Sequence, residues 1–200
     1  MRIAVVQHAV RPAPAQDLEA LVGAVVRAGA RGAEWVVLPE VPAVAESPLN
    51  DELWRRLEED APRGAVTAAY VEPGESCSAL DDQDTPGVTA ILTGDSCFTP
   101  EALACARAHA PGVLVLAPHA ESDIQAEATL EFAIALSTSL ASLVIVVGTD
   151  GADPGEPGHG GSAAVYLGEV LAEALTGDDV MYVDVDRPVG PPESPDPLPE

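Results

Sequence analysis

Glu40 is the first side chain in this sequence whose type and place point to chemistry. It closes the run Gly32-Ala33-Glu34-Trp35-Val36-Val37-Leu38-Pro39-Glu40, where core-type residues stop at a proline and an acid. A carboxylate at the carboxyl end of a buried strand stands where α/β proteins place reacting groups, and it can serve there as a general base. An isolated Leu-Pro-Glu also opens ordinary solvated loops, so its surroundings have to decide. The chain has three thiols, Cys77, Cys97 and Cys105, and a thiol becomes a nucleophile only with a base in hydrogen-bond reach. His8, His119 and His159 fall near expected strand ends and are, with Glu40 and Cys97, the candidates for a metal site. Their irregular separations match no ligand spacing, and scattered histidines usually satisfy local hydrogen bonds, so no metal is expected. Gly158-His159-Gly160-Gly161 lacks the lysine and the strand-to-helix setting of a phosphate loop and reads as a flexible entry to a strand. No Gly-x-Ser-x-Gly elbow is present, and no cofactor is expected.

The elements that would position these groups can be read in order. Arg2 to Gln7 reads as a strand and Ala15 to Ala30 as a helix with Leu18, Leu21, Val22, Val25 and Val26 on one face, ended by Gly29 and Gly32. Trp35 to Leu38 is the second strand. Ser47-Pro48 starts a helix through Leu53, Trp54 and Leu57. Gly64 to Val71 reads as a third strand, and Glu72 to Asp84, with Pro73, Gly74 and several acids, as an exposed connection. Thr89 to Thr93 returns to the core; Thr99-Pro100-Glu101 caps a helix reaching about Ala110. Gly112 to Leu116 is a strand, and Ser122 with Gln125 forms a capping box for a long helix. Leu143 to Val147 is a strand, and the Gly- and Pro-rich stretch from Gly148 to Gly158 reads as a loop without regular structure. Ser162 to Tyr166, Glu169 to Ala174 and Val180 to Asp186 close the chain as strands, the first two joined at Leu167-Gly168. From Arg187 onward an acidic, proline-rich tail is expected to be disordered. The division is one domain over residues 1–186 and a tail over 187–200.

Composition bounds the function. Two hundred residues with 47% hydrophobic and 4% aromatic side chains make one domain whose core is mainly Ala, Val and Leu. The formal charge is −24, from 33 acids and 9 bases, and every base is arginine. That field repels phosphate backbones and anionic membranes, which excludes nucleic acid and lipid surfaces as natural partners. It suits a basic partner or a cationic ligand, or simply reflects genome composition or a salty cytoplasm. An odd, irregularly spaced set of cysteines suggests neither a disulfide scaffold nor a zinc module, so a reducing, cytoplasmic compartment is expected. The N-terminus lacks the flanks of a signal peptide, and the uncharged run from Phe132 to Thr149 carries four hydroxyl side chains before its last residue and reads as a helix then a strand, not a membrane span.

The motifs taken in series resemble the nitrilase (carbon-nitrogen hydrolase) superfamily. Met1-Arg-Ile-Ala-Val-Val-Gln7, the helix ending at Ala28-Gly-Ala-Arg-Gly-Ala33, and Trp35 to Glu40 resemble its opening. Phe98-Thr-Pro-Glu101 with its helix, then Val113-Leu-Val-Leu-Ala-Pro118, resembles the segment after the family's nucleophile. Leu140 to Gly148, His159-Gly-Gly-Ser162, Gly168 to Ala174 and Tyr182 to Asp186 resemble its later strands. The resemblance implies an α-β-β-α sandwich of mixed α/β class, here truncated between Glu40 and Gly94.

That family uses a Cys-Glu-Lys triad, and the resemblance implies that Glu40 is the counterpart of its general base. Thr93 or Gly94 stands where the nucleophilic cysteine belongs, Cys97 lies three or four residues further, and the chain contains no lysine. Loss of a nucleophile from a coupled set costs on the order of 10⁶ in rate, and loss of an oxyanion stabiliser about 10² to 10³. The expectation is a catalytically inactive relative acting as a binding or structural subunit, with Glu40 a vestigial base. Thr93, Gly94 and His119 would line its vestigial pocket. One alternative is a divergent amide or nitrile hydrolase using Glu40 and a displaced Cys97; another is a sensor binding a small amine or amide. Family members commonly associate through exterior helices, which implies a homodimer or a complex with a related subunit.

Overall fold

The structure, a computed structural model, describes residues 1–41, 44, 47–60, 67–69, 78–80, 89–118, 120, 122–153, 156–174 and 176–185. Strand β1 (Arg2–Ala9) is buried without interruption from Ile3 to His8. Such a strand needs cover on both faces, and it has a second sheet on one and helices on the other. β2 (Trp35–Val37) runs parallel to it, with Ile3 opposite Trp35 and Val5 opposite Val37. On the other side β12 (Asp179–Asp184) runs antiparallel, from Arg2 opposite Asp184 to Gln7 opposite Asp179. β1 outlasts that pairing: His8 and Ala9 take Thr149 and Asp150 of β8 (Thr149–Asp153) as parallel partners, and β9 (Glu156–His159) folds back on β8. β3 (Thr67–Ala69) adds to β2 at the far edge.

The second sheet has the order β11-β10-β7-β6-β5-β4. β4 (Ser78–Leu80), β5 (Thr89–Thr93), β6 (Val113–Ala117) and β7 (Leu143–Val146) are followed by β10 (Ser162–Tyr166) and β11 (Glu169–Ala174). β5, β6 and β7 are parallel; the pairs at the sheet's two ends are antiparallel. Ile3, Val5, Trp35 and Val37 of the first sheet meet Ile91, Val113, Val115 and Ile145 of the second in one apolar layer. Outside the first sheet, Ala4, Val6 and Val36 pack on α1 (Pro14–Ala30) and α2 (Leu49–Asp60). Outside the second, Leu92, Leu114 and Val144 pack with α3 (Pro100–Ala108) and α4 (Asp123–Leu140). The layers are therefore α-β-β-α, as the sequence implies.

Local signals explain several boundaries. Thr99 accepts from the Ala102 N–H at the start of α3, and Ser122 from the Gln125 N–H at the start of α4, both at 3.3 Å. Leu18, Leu21, Val22, Val25 and Ala28 step along α1 at helical spacing and are buried. Val26 falls on the shoulder of that stripe and is exposed, contrary to expectation, while Asp17 is fully buried in it. Leu167 and Gly168 both have positive φ, 49° and 84°, the twist a two-residue hairpin loop needs. At Gly148 a Cβ would lie 2.7 Å from the Gly160 carbonyl oxygen, so only glycine lets these two chain segments pass.

Two expectations fail. The stretch from Gly148 to Gly158 is not an irregular loop: β8 and β9 occupy most of it. Past Gln7 the backbone of β1 needs new partners, β8 supplies them, and Val10 N–H donates to the Asp150 carbonyl at 2.7 Å. Backbone pairing there overrides the poor strand propensity of glycine, aspartate and proline. It also makes Gly158 and His159 strand residues, leaving only Gly160 and Gly161 as the entry to β10. Ser78 to Leu80, expected within an exposed connection, pairs with β5 as an edge strand. The rest of that connection and the tail from Arg187 lie outside the described residues. No described helix is long and apolar enough to cross a membrane.

Candidate functional site

Glu40 follows β2 by way of Leu38, fully buried, and Pro39, also buried. Its own side chain is half-buried and interacts with the protein. Opposite it in the layer order, β5 ends at Thr93, which is 7% exposed. Thr93 lies in register with Ala117 of the inter-sheet layer and shares the strand face of Ile91, so it belongs to the side of the sheet that faces β2. Gly94 then turns the chain with φ of 49° into a short 3₁₀ turn, Gly94–Phe98. A side chain at that left-handed position is disfavoured, which suits glycine. His119 lies outside the described residues.

Cys97 goes the other way. It is fully buried among Leu92, Ala102, Ala106, Leu114 and Leu116, in the layer between the second sheet and its helices. Its Sγ–H donates to the Leu92 carbonyl oxygen at 3.3 Å. A thiolate there would set two electron-rich atoms together in apolar surroundings. Buried thiols of this kind are inert. Next to it, the exposed Phe98 ring lies 5.5 Å from that of Phe132, tilted by 51°. The structure thus places Thr93 and Gly94 together at one strand end, and turns Cys97 away into the outer core. Cys105 on α3 is disulfide-bonded, and Cys97 is not.

The densest polar chemistry lies at the end of β1. His8, 2% exposed, has Nε2 2.6 Å from Oδ1 of the fully buried Asp17, which also accepts the Arg11 N–H at 2.8 Å. Its Nδ1 lies 3.5 Å from Asp178. Asp178 accepts the Ala9 N–H at 2.8 Å and pairs with the Arg11 guanidinium. The Arg11 hydrogen bonds, with the Ala9 N–H adding to them, hold the Asp178 carboxyl below its ordinary range. Burial pushes His8 below the usual imidazole value, outweighing the hydrogen bond and charge of Asp17 that act the other way. Gln7 continues the network: its Nε2 donates to the Gly177 carbonyl at 3.1 Å and its Oε1 accepts the Ser162 N–H at 2.9 Å. His159 sits apart, with Nδ1 3.1 Å from Asp123 at the start of α4. No group of three metal-ligating side chains able to hold an ion occurs among the described residues. Sequence reading named His8 but not its aspartates. Asp17 carried a signal, as an acid one helical turn before Leu21 on the apolar stripe of α1; Asp178, remote in sequence, carried none.

The architecture has close counterparts among solved structures. An amidase from Nesterenkonia sp. AN1 superposes with a TM-score of 0.74 at 19% identity, covering 92% of each chain. A variant of it, described as belonging to the nitrilase superfamily, matches with a TM-score of 0.72 at 19% identity, covering 92% of this chain and 90% of that one. This chain has the nitrilase-superfamily fold. Another variant of that amidase, showing the result of Michael addition of acrylamide at its active-site cysteine, matches with a TM-score of 0.74 at 18% identity, over 92% of this chain and 93% of that one. With 92% of the amidase chain covered, the truncation expected for a nitrilase-like chain is slight. Most of the segment between Glu40 and Gly94, where shortening was expected, lies outside the described residues. No protein-family sequence model matches the chain, and no curated protein sequence matches it.

Proposed function

We propose that this protein is a catalytically inactive member of the nitrilase fold group that acts as a binding or structural subunit. The observation that carries the reading is the placement of Cys97. The one free thiol among the described residues is sealed in the outer core with its proton donated to a backbone carbonyl. A carbon-nitrogen hydrolase of this type needs a thiolate within reach of its base and a fixed cation or donor at the tetrahedral centre. Thr93 and Gly94 supply no thiolate at the strand end, and the chain has no lysine to supply the cation. Glu40 is then a base without a nucleophile to serve, and a small amine or amide would be held there through charge and hydrogen bonding alone. A homodimer or a complex with a related subunit built on the exterior helices fits this role.

Ammonia release from acrylamide, butyramide and a short aliphatic nitrile tests the reading. The expected result is the same background rate for wild type, Cys97→Ala and Glu40→Gln. Turnover in the wild type that both substitutions abolish would establish instead a hydrolase with a displaced nucleophile.

A further inference from the structure

Along the outer face of β12, beside α1, runs a cavity of about 410 Å³ that none of Glu40, Thr93 and Gly94 lines. Its floor is made of small or short side chains, Ala20 and Ala24 from α1 and Val180 from β12, and Arg27, Arg31 and Tyr182 line it. Three observations point to what it holds. Arg2, Arg11, Arg55 and Arg56 each pair with a carboxylate. In a chain with 33 acids, Arg27 and Arg31 have no such partner among the described residues, and they share this cavity; Arg107, also without one, stands alone on α3. Second, Arg27 and Arg31, both exposed, are one helical turn apart, so two like charges repel across a shared space and an anion between them would relieve that repulsion. Third, the Tyr182 hydroxyl is buried without a hydrogen-bond partner among the described residues, while the Arg31 guanidinium lies 5.8 Å from the centre of the Tyr182 ring. A buried hydroxyl left unpaired is costly, and an anionic oxygen in the cavity would accept from it.

The acids at the cavity's other end do not cancel this preference. Asp178 is neutralised by Arg11, and the charge left on Asp179 is outweighed by those of Arg27 and Arg31. We propose that the cavity between α1 and β12 binds a small oxyanion, a carboxylate or phosphoryl group, gripped by the guanidinium forks of Arg27 and Arg31 with the Tyr182 hydroxyl donating to it. In a protein of net charge −24 such a site is local: the global field repels anions, so the forks must act at contact distance, where screening matters least. The inference does not rest on the loss of catalysis.

Thermal melting of the full chain tests it, with titration of malonate, of inorganic phosphate, and of sodium chloride at matched ionic strength. The chloride arm is needed because any salt relieves self-repulsion in so acidic a chain, and because arginines near a helix C-terminus stabilise it without ligand. The expected result is a saturable rise in Tm with malonate or phosphate beyond that of chloride, whichever is larger naming the group recognised. Arg27→Ala/Arg31→Ala should lose the excess, and Arg107→Ala should keep it. Tyr182→Phe, which removes one oxygen and leaves the packing, should weaken binding about tenfold, the worth of a hydrogen bond to a charged group. A rise equal to that of chloride, or one unchanged in Arg27→Ala/Arg31→Ala and in Tyr182→Phe, would overturn the proposal.

Discussion

The ends of β1 and β5, one in each sheet, hold opposite kinds of matter. At the end of β1, His8, Arg11, Asp17 and Asp178 form a buried-to-exposed network in which charged groups are tied to one another and to backbone. At the end of β5 stand a threonine, a glycine in a left-handed turn and a thiol turned into hydrocarbon. The difference teaches where the described residues gather their polar groups: in joining β1, α1 and the turn before β12, and not at the end of β5.

Breaking the β1 side should have the largest effect. Asp17→Ala leaves His8 and the Arg11 N–H without their buried acceptor and should cost about 3 kcal/mol in urea unfolding. A loss near zero would show that the network is ornamental. The same pair sets a pH dependence. His8 is held below the ordinary imidazole value of 6.5 by burial, so the unfolded chain takes up the proton first. Its contribution is therefore complete above about pH 6.5 and is lost as the pH falls below it. His8→Gln, which does not titrate, should flatten the unfolding free energy between pH 7.5 and 5.5. Asp178, held low by Arg11, adds a separate loss only as the pH falls below the carboxylate value of 3.8.

On the β5 side, Cys97→Ala should behave as a core truncation, costing about 1.5 kcal/mol and changing no activity. An unchanged stability would mean that the thiol is not packed as a core residue. Smaller still, Thr99→Ala removes the long cap bond to Ala102 and should cost about 0.5 kcal/mol, read as a shift in urea midpoint at constant slope.

What was legible in the sequence follows the range of the interactions. Alternation of apolar strands with the α1 stripe, and the caps at Thr99 and Ser122, are local signals, and they placed most elements within a residue or two. The resemblance carried by Trp35 to Glu40 and by Phe98 to Pro118 led to the four-layer fold. The β8–β9 hairpin was missed because its residues are poor strand formers and are recruited by unpaired backbone at the end of β1, a partner remote in sequence. Asp178 was missed for the same reason, since 170 positions separate it from His8. The direction of Cys97 was not legible either: the 3₁₀ turn that begins at Gly94 decides which layer the thiol enters, and a left-handed glycine leaves no periodic trace.

Iodoacetamide labelling followed by mass mapping, on native and urea-unfolded protein and on native Glu40→Gln, tests the central claim most directly. Cys97 sealed in the outer core should remain unmodified near neutral pH while the chain is folded, react at an ordinary rate once unfolded, and ignore the change at Glu40. Rapid modification of Cys97 in the folded protein, slowed by Glu40→Gln, would contradict the inactive reading and restore a thiolate to this fold.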